Sequence, residues 1–320
     1  MLSQLLDRFK RYIHPHTAGQ GIYTPILDVA DIHELQNRAE SVIHTTPYQR
    51  EVEHRQYGDA RSVYRGHGLD YEESRPYEPG DEMRFVNWRL SARTDKMYMK
   101  VFREERRPSL FVLMDKRAPM RFGSNRRLKV TQAARLNCLL ACVSIEKNIP
   151  VSGVLLDTEL DWLPECQGEV AIYSYIQSVA IPCPPLVESE NEISLTHAIK
   201  LLQNILTRGS IIYLISDFHD LDDELTATLL QLSSEHSVTA INIIDQHEIS
   251  LPVIGNINIH DPISNSDYSV DTSSAHVQRH YEALSNQHYK NIEDIFTRAG
   301  IDYLSIGCDN EDIEQVIPLP

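Results

Sequence analysis

The chain has 320 residues, 42% of them hydrophobic, and carries 46 acidic against 30 basic side chains for a formal net charge of −16. That is enough apolar material for one large core or two smaller ones, and the negative balance repels a phosphate backbone over most of the surface, which argues against a dedicated nucleic-acid binder. No apolar run reaches the roughly 18 residues that span a bilayer, no signal peptide is evident, and the five cysteines include no CxxC pair, so a cytoplasmic protein with reduced thiols is expected.

Residues 1–13 place Leu2, Leu5, Leu6, Phe9 and Ile13 at helical spacing beside Arg8, Lys10 and Arg11. Such a short amphipathic helix packs on the protein's own body or makes a peripheral membrane or partner contact. A second helix is expected over 32–43. From Tyr57 to Arg107 the chain is dense in Gly, Arg, Tyr and acidic residues, with brief alternating runs such as 97–101. This suits turns and short strands and leaves no place for a long helix.

After Pro108 the pattern becomes regular. Apolar strands over 110–114, 151–156, 211–215, 238–244 and 301–305 alternate with helices over 128–145, 169–179, 194–206, 222–233 and 275–298, and an Asn/Asp/Ser-rich loop precedes the last helix. Buried strands separated by amphipathic helices imply an α/β fold: a doubly wound, mostly parallel sheet, with a smaller amino-terminal α+β lobe. The expected organisation is a helical segment over 1–45, an Arg/Tyr/Gly-rich lobe over 46–108 and the α/β domain over 109–320. In such a sheet ligands sit beyond the carboxyl ends of the strands, where Asp115 and Asp217 fall. Each alone is as well explained as a turn former.

Gly66, Gly68, Tyr71, Arg75, Tyr77, Pro79, Gly80, Asp81, Glu82, Arg84, Asn87, Trp88, Ser91, Ala92, Arg93 and Lys100 form a dense string that resembles the bacterial domain-of-unknown-function 58 (DUF58) family. The resemblance continues through Met120, Phe122, Gly123, Lys129, Ser216, Asp217, Phe218, Asp245, Leu251, Pro252, Gly255 and Asp261. It implies a von Willebrand factor A-like domain and, as interaction partner, an AAA+ ATPase of MoxR type. Family members with an intact first loop carry D-x-S-x-S, a metal-ion-dependent adhesion site built from hydroxyl and carboxylate oxygens. Here the loop reads Asp115, Lys116, Arg117, Ala118, Pro119, and Ile193 falls where a second-loop threonine belongs.

A guanidinium about 4 Å from a positive ion costs roughly 4 kcal/mol per unit charge at an effective dielectric near 20. The resemblance therefore implies a degenerate adhesion site, with no metal and no cofactor. Lys116 or Arg117 is expected to take the cation's place and pair with Asp115 or Asp217.

Arg84, Arg89, Arg93, Lys96, Lys100, Arg103, Arg106 and Arg107 make one basic island in an acidic chain. It reads as an internally paired solvated face, a dock for an acidic partner surface centred on Arg103, Arg106 and Arg107, or a phosphate contact. Trp88 within it is expected to anchor the core of the small lobe. Arg75, Asp81, Arg84 and Arg93 around the Gly80 turn suggest an ionic lattice. The acidic stretch from Asp217 to Glu224 is read as carboxylates opening a helix. HExxH, GxxxxGK and GxSxG are absent. The functional expectation is a non-enzymatic interaction or adaptor module; the alternative is a hydrolase using Arg and Asp residues of the small lobe with Asp217.

Overall fold

The computed structural model describes residues 25–45, 69–78, 81–94, 96–104, 108–183, 192–221, 223–261 and 266–320. The helix expected over 1–13 lies outside these. In chain order the first elements are α1 (Val29–Thr45), β1 (Leu69–Pro76), α2 (Trp88–Thr94), β2 (Tyr98–Glu104), β3 (Leu110–Asp115), α3 (Lys129–Glu146), β4 (Val151–Leu156) and β5 (Leu160–Cys166). There follow α4 (Glu169–Val179), α5 (Leu195–Leu202), β6 (Ile211–Ser216), α6 (Asp223–Glu235), β7 (Ser237–Ile244) and α7 (Gln246–Ile249). The chain ends with β8 (Asn256–Asp261), β9 (Ser266–Asp271), α8 (Ala275–Arg298), β10 (Asp302–Gly307) and α9 (Ile313–Val316). Two compact units result, one of Met1–Arg50 with Pro108–Pro320 and one of Glu51–Arg107.

The larger unit is the α/β fold that the apolar periodicity predicts: a six-stranded sheet in the order β10-β7-β6-β3-β4-β5, with helices on both faces. Every pairing is parallel except that of β4 with β5, which is antiparallel. Alternation along β3 sorts its side chains. Leu110, Val112 and Met114 join the core that α1, α3 and α4 cover, whereas Phe111 and Leu113 join the one covered by α5, α6 and α8. Burial of all six β3 residues explains why that segment reads as an unbroken apolar run.

β3 lies at the middle of the sheet. The chain builds β4 and β5 on one side of it, then crosses to β6 on the other. Strand order reverses there, so a crevice opens beyond the carboxyl ends of β3 and β6. Their register pairs Met114 with Ile215, which brings Asp115 beside Ser216.

Three strands escape the sequence pattern. β5 buries only Leu163 and so shows neither alternation nor an apolar run. β8 and β9 form an antiparallel hairpin in a segment whose Asn, Asp and Ser content reads as loop, although Asn256, Ile257, Asn258 and Ile259 alternate as a strand does. Among the described residues no helix is long and apolar enough to cross a membrane. All five thiols are free, and four are buried.

In the smaller unit β1 and β2 pair antiparallel, with a bridge from Val86 to Met99, and these two side chains are buried. Trp88 does not anchor this lobe: it begins α2 and is 62% exposed. Indole size alone suggested a core position, but the seven-residue helix turns its first residue to solvent.

Candidate functional site

Asp115 ends β3 and is fully buried. Its carboxylate accepts from the Arg117 backbone N–H (2.9 Å), from Arg117 Nη2 (2.7 Å) and from the Ser216 hydroxyl (2.6 Å). The 2% exposed Arg117 guanidinium is shared, because Nη2 also donates to Asp220 Oδ1 at 3.0 Å while Nη1 reaches Asp220 Oδ2 and the Ile193 carbonyl. Asp220 in turn accepts from the Leu195 N–H at the start of α5. Burial works against the charge on Arg117, but the two carboxylates outweigh it and raise the guanidinium's pKa. Burial likewise pushes Asp220 up, and the hydrogen bond and charge of Arg117 override it, holding the carboxyl below its usual range.

A second buried cation lies beside the first. Lys129, the first residue of α3, is fully buried, and its ammonium donates to Asp217 at 2.6 Å and to Glu248 at 2.8 Å. Burial opposes this charge too, and Asp217 and Glu248 raise its pKa nonetheless. Glu248 Oε2 closes a capping box by accepting from the Asp245 N–H, and Asp245 holds Ser124 through both its N–H (2.8 Å) and its hydroxyl (2.6 Å). Asp217 Oδ1 meets His219 Nδ1 at 2.9 Å. Phe218 between them adopts a left-handed backbone (φ 50°) and packs edge-on against Phe296.

The sequence places Asp115, Arg117 and Asp217 at this crevice, and the structure puts all three there. Of the pairings expected, that of Arg117 with Asp115 is present; Arg117 also bridges to Asp220, and Asp217 pairs with Lys129 instead. Lys116 turns away to donate to the Ile181 carbonyl at 3.3 Å. Pro119 lies in a short 3-10 turn over Ala118–Arg121, whose first N–H donates to Glu192. The expectation that the Asp217 to Glu224 stretch only opens a helix fails for two members. Asp217 and Asp220 precede α6, which begins at Asp223, and face cations from other elements. Asp220 and Glu248 carried no distinguishing signal, because each acquires its role from a partner more than a hundred positions away.

In the smaller unit Arg75 and Asp81 form a two-bonded fork at 2.5 and 2.9 Å. Arg84 does not join them. It pairs with Glu82 and lies over the Phe85 ring, while Arg93 and Lys100 are exposed. Asn87 and Ser91 are structural: Asn87 Oδ1 accepts from Leu90 N–H at the start of α2, its amide reaches Ser74, and the Ser91 hydroxyl accepts from Tyr98 N–H. Tyr77 is half-buried and hydrogen-bonds through its backbone to Met97. Gly80, Arg106 and Arg107, and the side chain of Arg103, lie outside the described residues.

Fold and crevice define an α/β protein whose switch-point crevice is filled by two buried ion-pair clusters. The chain belongs to the family described as "Protein of unknown function DUF58", whose model matches residues 73–291. Uncharacterized proteins of Mycobacterium tuberculosis and Mycobacterium bovis are 22% identical to it over 267 residues, covering 82% of this chain and 81% of theirs. Solved structures similar to it include a conserved hypothetical protein BatB from Bacteroides thetaiotaomicron (12% identity, TM-score 0.41) and an aerotolerance-related membrane protein from Bacteroides fragilis (15%, 0.41). An uncharacterized membrane-spanning protein from Vibrio fischeri is a third (10%, TM-score 0.24). Each match covers 65% of this chain and 94% of the other. Two of the three are described as membrane proteins, which contradicts the expectation of a cytoplasmic protein, and that expectation is withdrawn.

Proposed function

We propose that this chain is a non-enzymatic interaction or adaptor module. In this reading its α/β domain is von Willebrand factor A-like with a degenerate adhesion site, and its partner is an AAA+ ATPase of MoxR type. The observation that carries the reading is Arg117, whose guanidinium occupies the space between Asp115 and Asp220 where a metal-dependent domain would need an open cation position. A magnesium or calcium ion requires several oxygen ligands at about 2.0 to 2.6 Å. Around Asp115 the neighbours are a guanidinium nitrogen at 2.7 Å and one serine hydroxyl, itself donating to the carboxylate. These residues do not fit a divalent ion. A crevice wired by its own side chains suits a fixed recognition surface rather than metal-gated adhesion.

The side chains give the hydrolase alternative little. Asp81 is engaged by Arg75, and Asp217 is neutralised by a buried lysine. Two measurements test the interaction reading. Calorimetry with magnesium and manganese should show no saturable binding; micromolar binding lost on Asp217→Ala would sink the degenerate-site assignment. The ATPase should be retained by the full chain and lost on charge reversal at Arg103, Arg106 and Arg107. Retention by the triple variant removes that surface, and failure of the wild-type chain to hold any such ATPase removes the partner.

A further inference from the structure

Away from the crevice, three arginines converge on a single carboxylate. Arg126 and Arg127 close the loop before α3, Arg135 lies two turns into that helix, and Glu311 precedes α9. Glu311 accepts from Arg126 at 3.1 Å, from Arg127 at 2.8 and 2.9 Å, and from Arg135 at 3.4 Å. Glu34 comes within 4.0 Å of Arg135, but it is held at 2.7 Å by Arg38, which also pairs with Glu314. The charges that face Arg135 are therefore Arg127 and Arg38 against Glu311 and Glu34.

Neither the donors nor the charge of this cluster are satisfied. Arg127 Nη1 and Arg135 Nε are buried without a hydrogen-bond partner, and the Arg135 side chain is only 2% exposed. A buried guanidinium nitrogen left without an acceptor is costly, and native proteins leave few of them. Burial, reinforced by the charge of Arg127, lowers the pKa of Arg135, in contrast to the well-compensated Arg117. With Arg38 included, four guanidiniums face the three carboxylates of Glu311, Glu34 and Glu314, and the positive charge in excess is one that a phosphate, at about −1.5 to −2 near neutral pH and with several acceptor oxygens, would complement.

The cradle is also preformed. Ser124 is clamped to Asp245 through two bonds, and the Lys129 N–H donates to the Phe122 carbonyl at 2.7 Å, so both ends of the loop that carries Arg126 and Arg127 are fixed. We propose that Arg126, Arg127 and Arg135 form a binding site for a phosphate-class oxyanion beside Glu311. Arg126, 76% exposed, is its outer arm, and half-buried Arg127 with buried Arg135 is its floor.

Titration of inorganic phosphate into the full chain, followed by calorimetry and by thermal unfolding, tests the site. Phosphate should raise the unfolding temperature. Arg126→Ala, at an exposed position that the fold does not need, should weaken binding about tenfold, the usual worth of one charge-assisted hydrogen bond. Glu311→Gln should tighten binding by removing a competing negative charge. Unfolding temperatures of both wild type and Glu311→Gln that ignore phosphate, or equal affinity in wild type and Arg126→Ala, would overturn the proposal. A phosphoserine peptide titrated in parallel identifies the source. Tighter binding than inorganic phosphate supports a phosphoryl group carried by another molecule, and equal or weaker binding supports the free ion.

Discussion

Arg117 and Asp220 stand 103 positions apart in the chain, yet their side chains meet through two hydrogen bonds, at 2.5 and 3.0 Å, over the carboxyl ends of β3 and β6. Because Asp220 also accepts from Leu195 N–H and Arg117 also binds Asp115, one guanidinium ties the β3 loop, the β6 loop and the start of α5 together. Removing Arg117 leaves Asp115 a buried charge without its cation and takes the same cation from half-buried Asp220.

Replacement of Arg117 by leucine is therefore expected to destabilise the domain by about 3–5 kcal/mol, the usual cost of breaking a buried pair from one side. Asp115→Asn added to that background should recover part of the loss, since it removes the stranded charge. Urea unfolding of wild type, both single variants and the double variant measures the coupling. Additive effects would mean that the pair contributes no coupling.

Lys129 gives a second prediction through the two carboxylates it serves. In Lys129→Met, Asp217 and Glu248 keep their burial and lose their cation, so they should retain protons to higher pH than in the unfolded chain. Folded-state pKa values raised in this way favour the folded state at low pH and lose that contribution as pH rises through them. The deficit relative to wild type should thus be larger at neutral pH than at about pH 4, below which both carboxyls are largely protonated. A deficit independent of pH would show that these carboxylates are screened by something other than Lys129.

How much of this was legible in sequence follows from the range of each interaction. The apolar runs of β3, β4 and β6 and the amphipathic helices report burial that is periodic along the chain, and so they reveal the sheet, whereas its strand order and switch point come from the structure. Asp115 and Asp217 are legible for the same reason, as carboxylates that end or directly follow buried strands. Partner choice is not periodic. Nothing local separates Lys129 from any other lysine at a helix start, or Glu248 from an ordinary capping glutamate, because each is defined by a carboxylate or ammonium supplied from a distant loop. Trp88 shows the converse error, a residue assigned to a core by its type when its short helix faces it outward. The basic residues that mattered to the described geometry are also not those of the island at 84–107. They are Arg117 and Lys129 at the crevice and Arg126, Arg127 and Arg135 at the cradle, in a stretch from 116 to 145 that holds no acidic residue and whose carboxylate partners Asp217, Glu248 and Glu311 lie in distant segments.

His219 supplies a pH signature in the wild-type chain. Burial would lower its pKa from 6.5, but the carboxylate of Asp217 at 2.9 Å, with a smaller contribution from Asp220, raises it, and Arg117 opposes only in part. Raised above its unfolded value, the imidazolium stabilises the fold fully below about pH 6.5 and ceases to do so as pH climbs through the native value. Wild-type stability should accordingly fall relative to His219→Asn over a window that opens near the ordinary histidine value of about 6.5 and runs upward through the native value. Parallel stability curves for the two proteins across this window would show that the Asp217 contact carries no net proton linkage.

Gly123 tests whether the loop before α3 is the shared support of the crevice and the arginine cradle. A methyl group built there would lie 2.2 Å from the Arg127 carbonyl oxygen and 2.8 Å from the Leu128 Cα, both backbone atoms that cannot rotate aside. The 123–128 turn would have to open, and with it would move Ser124 on Asp245, Arg127 on Glu311 and the first turn of α3 that aims Lys129 at Asp217. Gly123→Ala is therefore expected to cost at least about 2 kcal/mol, well above the usual effect of a surface substitution. It should also weaken phosphate binding in the folded fraction, because the arginines are placed by that turn. By contrast Gly209→Ala, at a left-handed position with open space around its Cβ, strains only its own backbone and should leave phosphate binding unchanged. Equal losses of phosphate binding in the two variants would separate the cradle from the loop and assign the effect to general destabilisation.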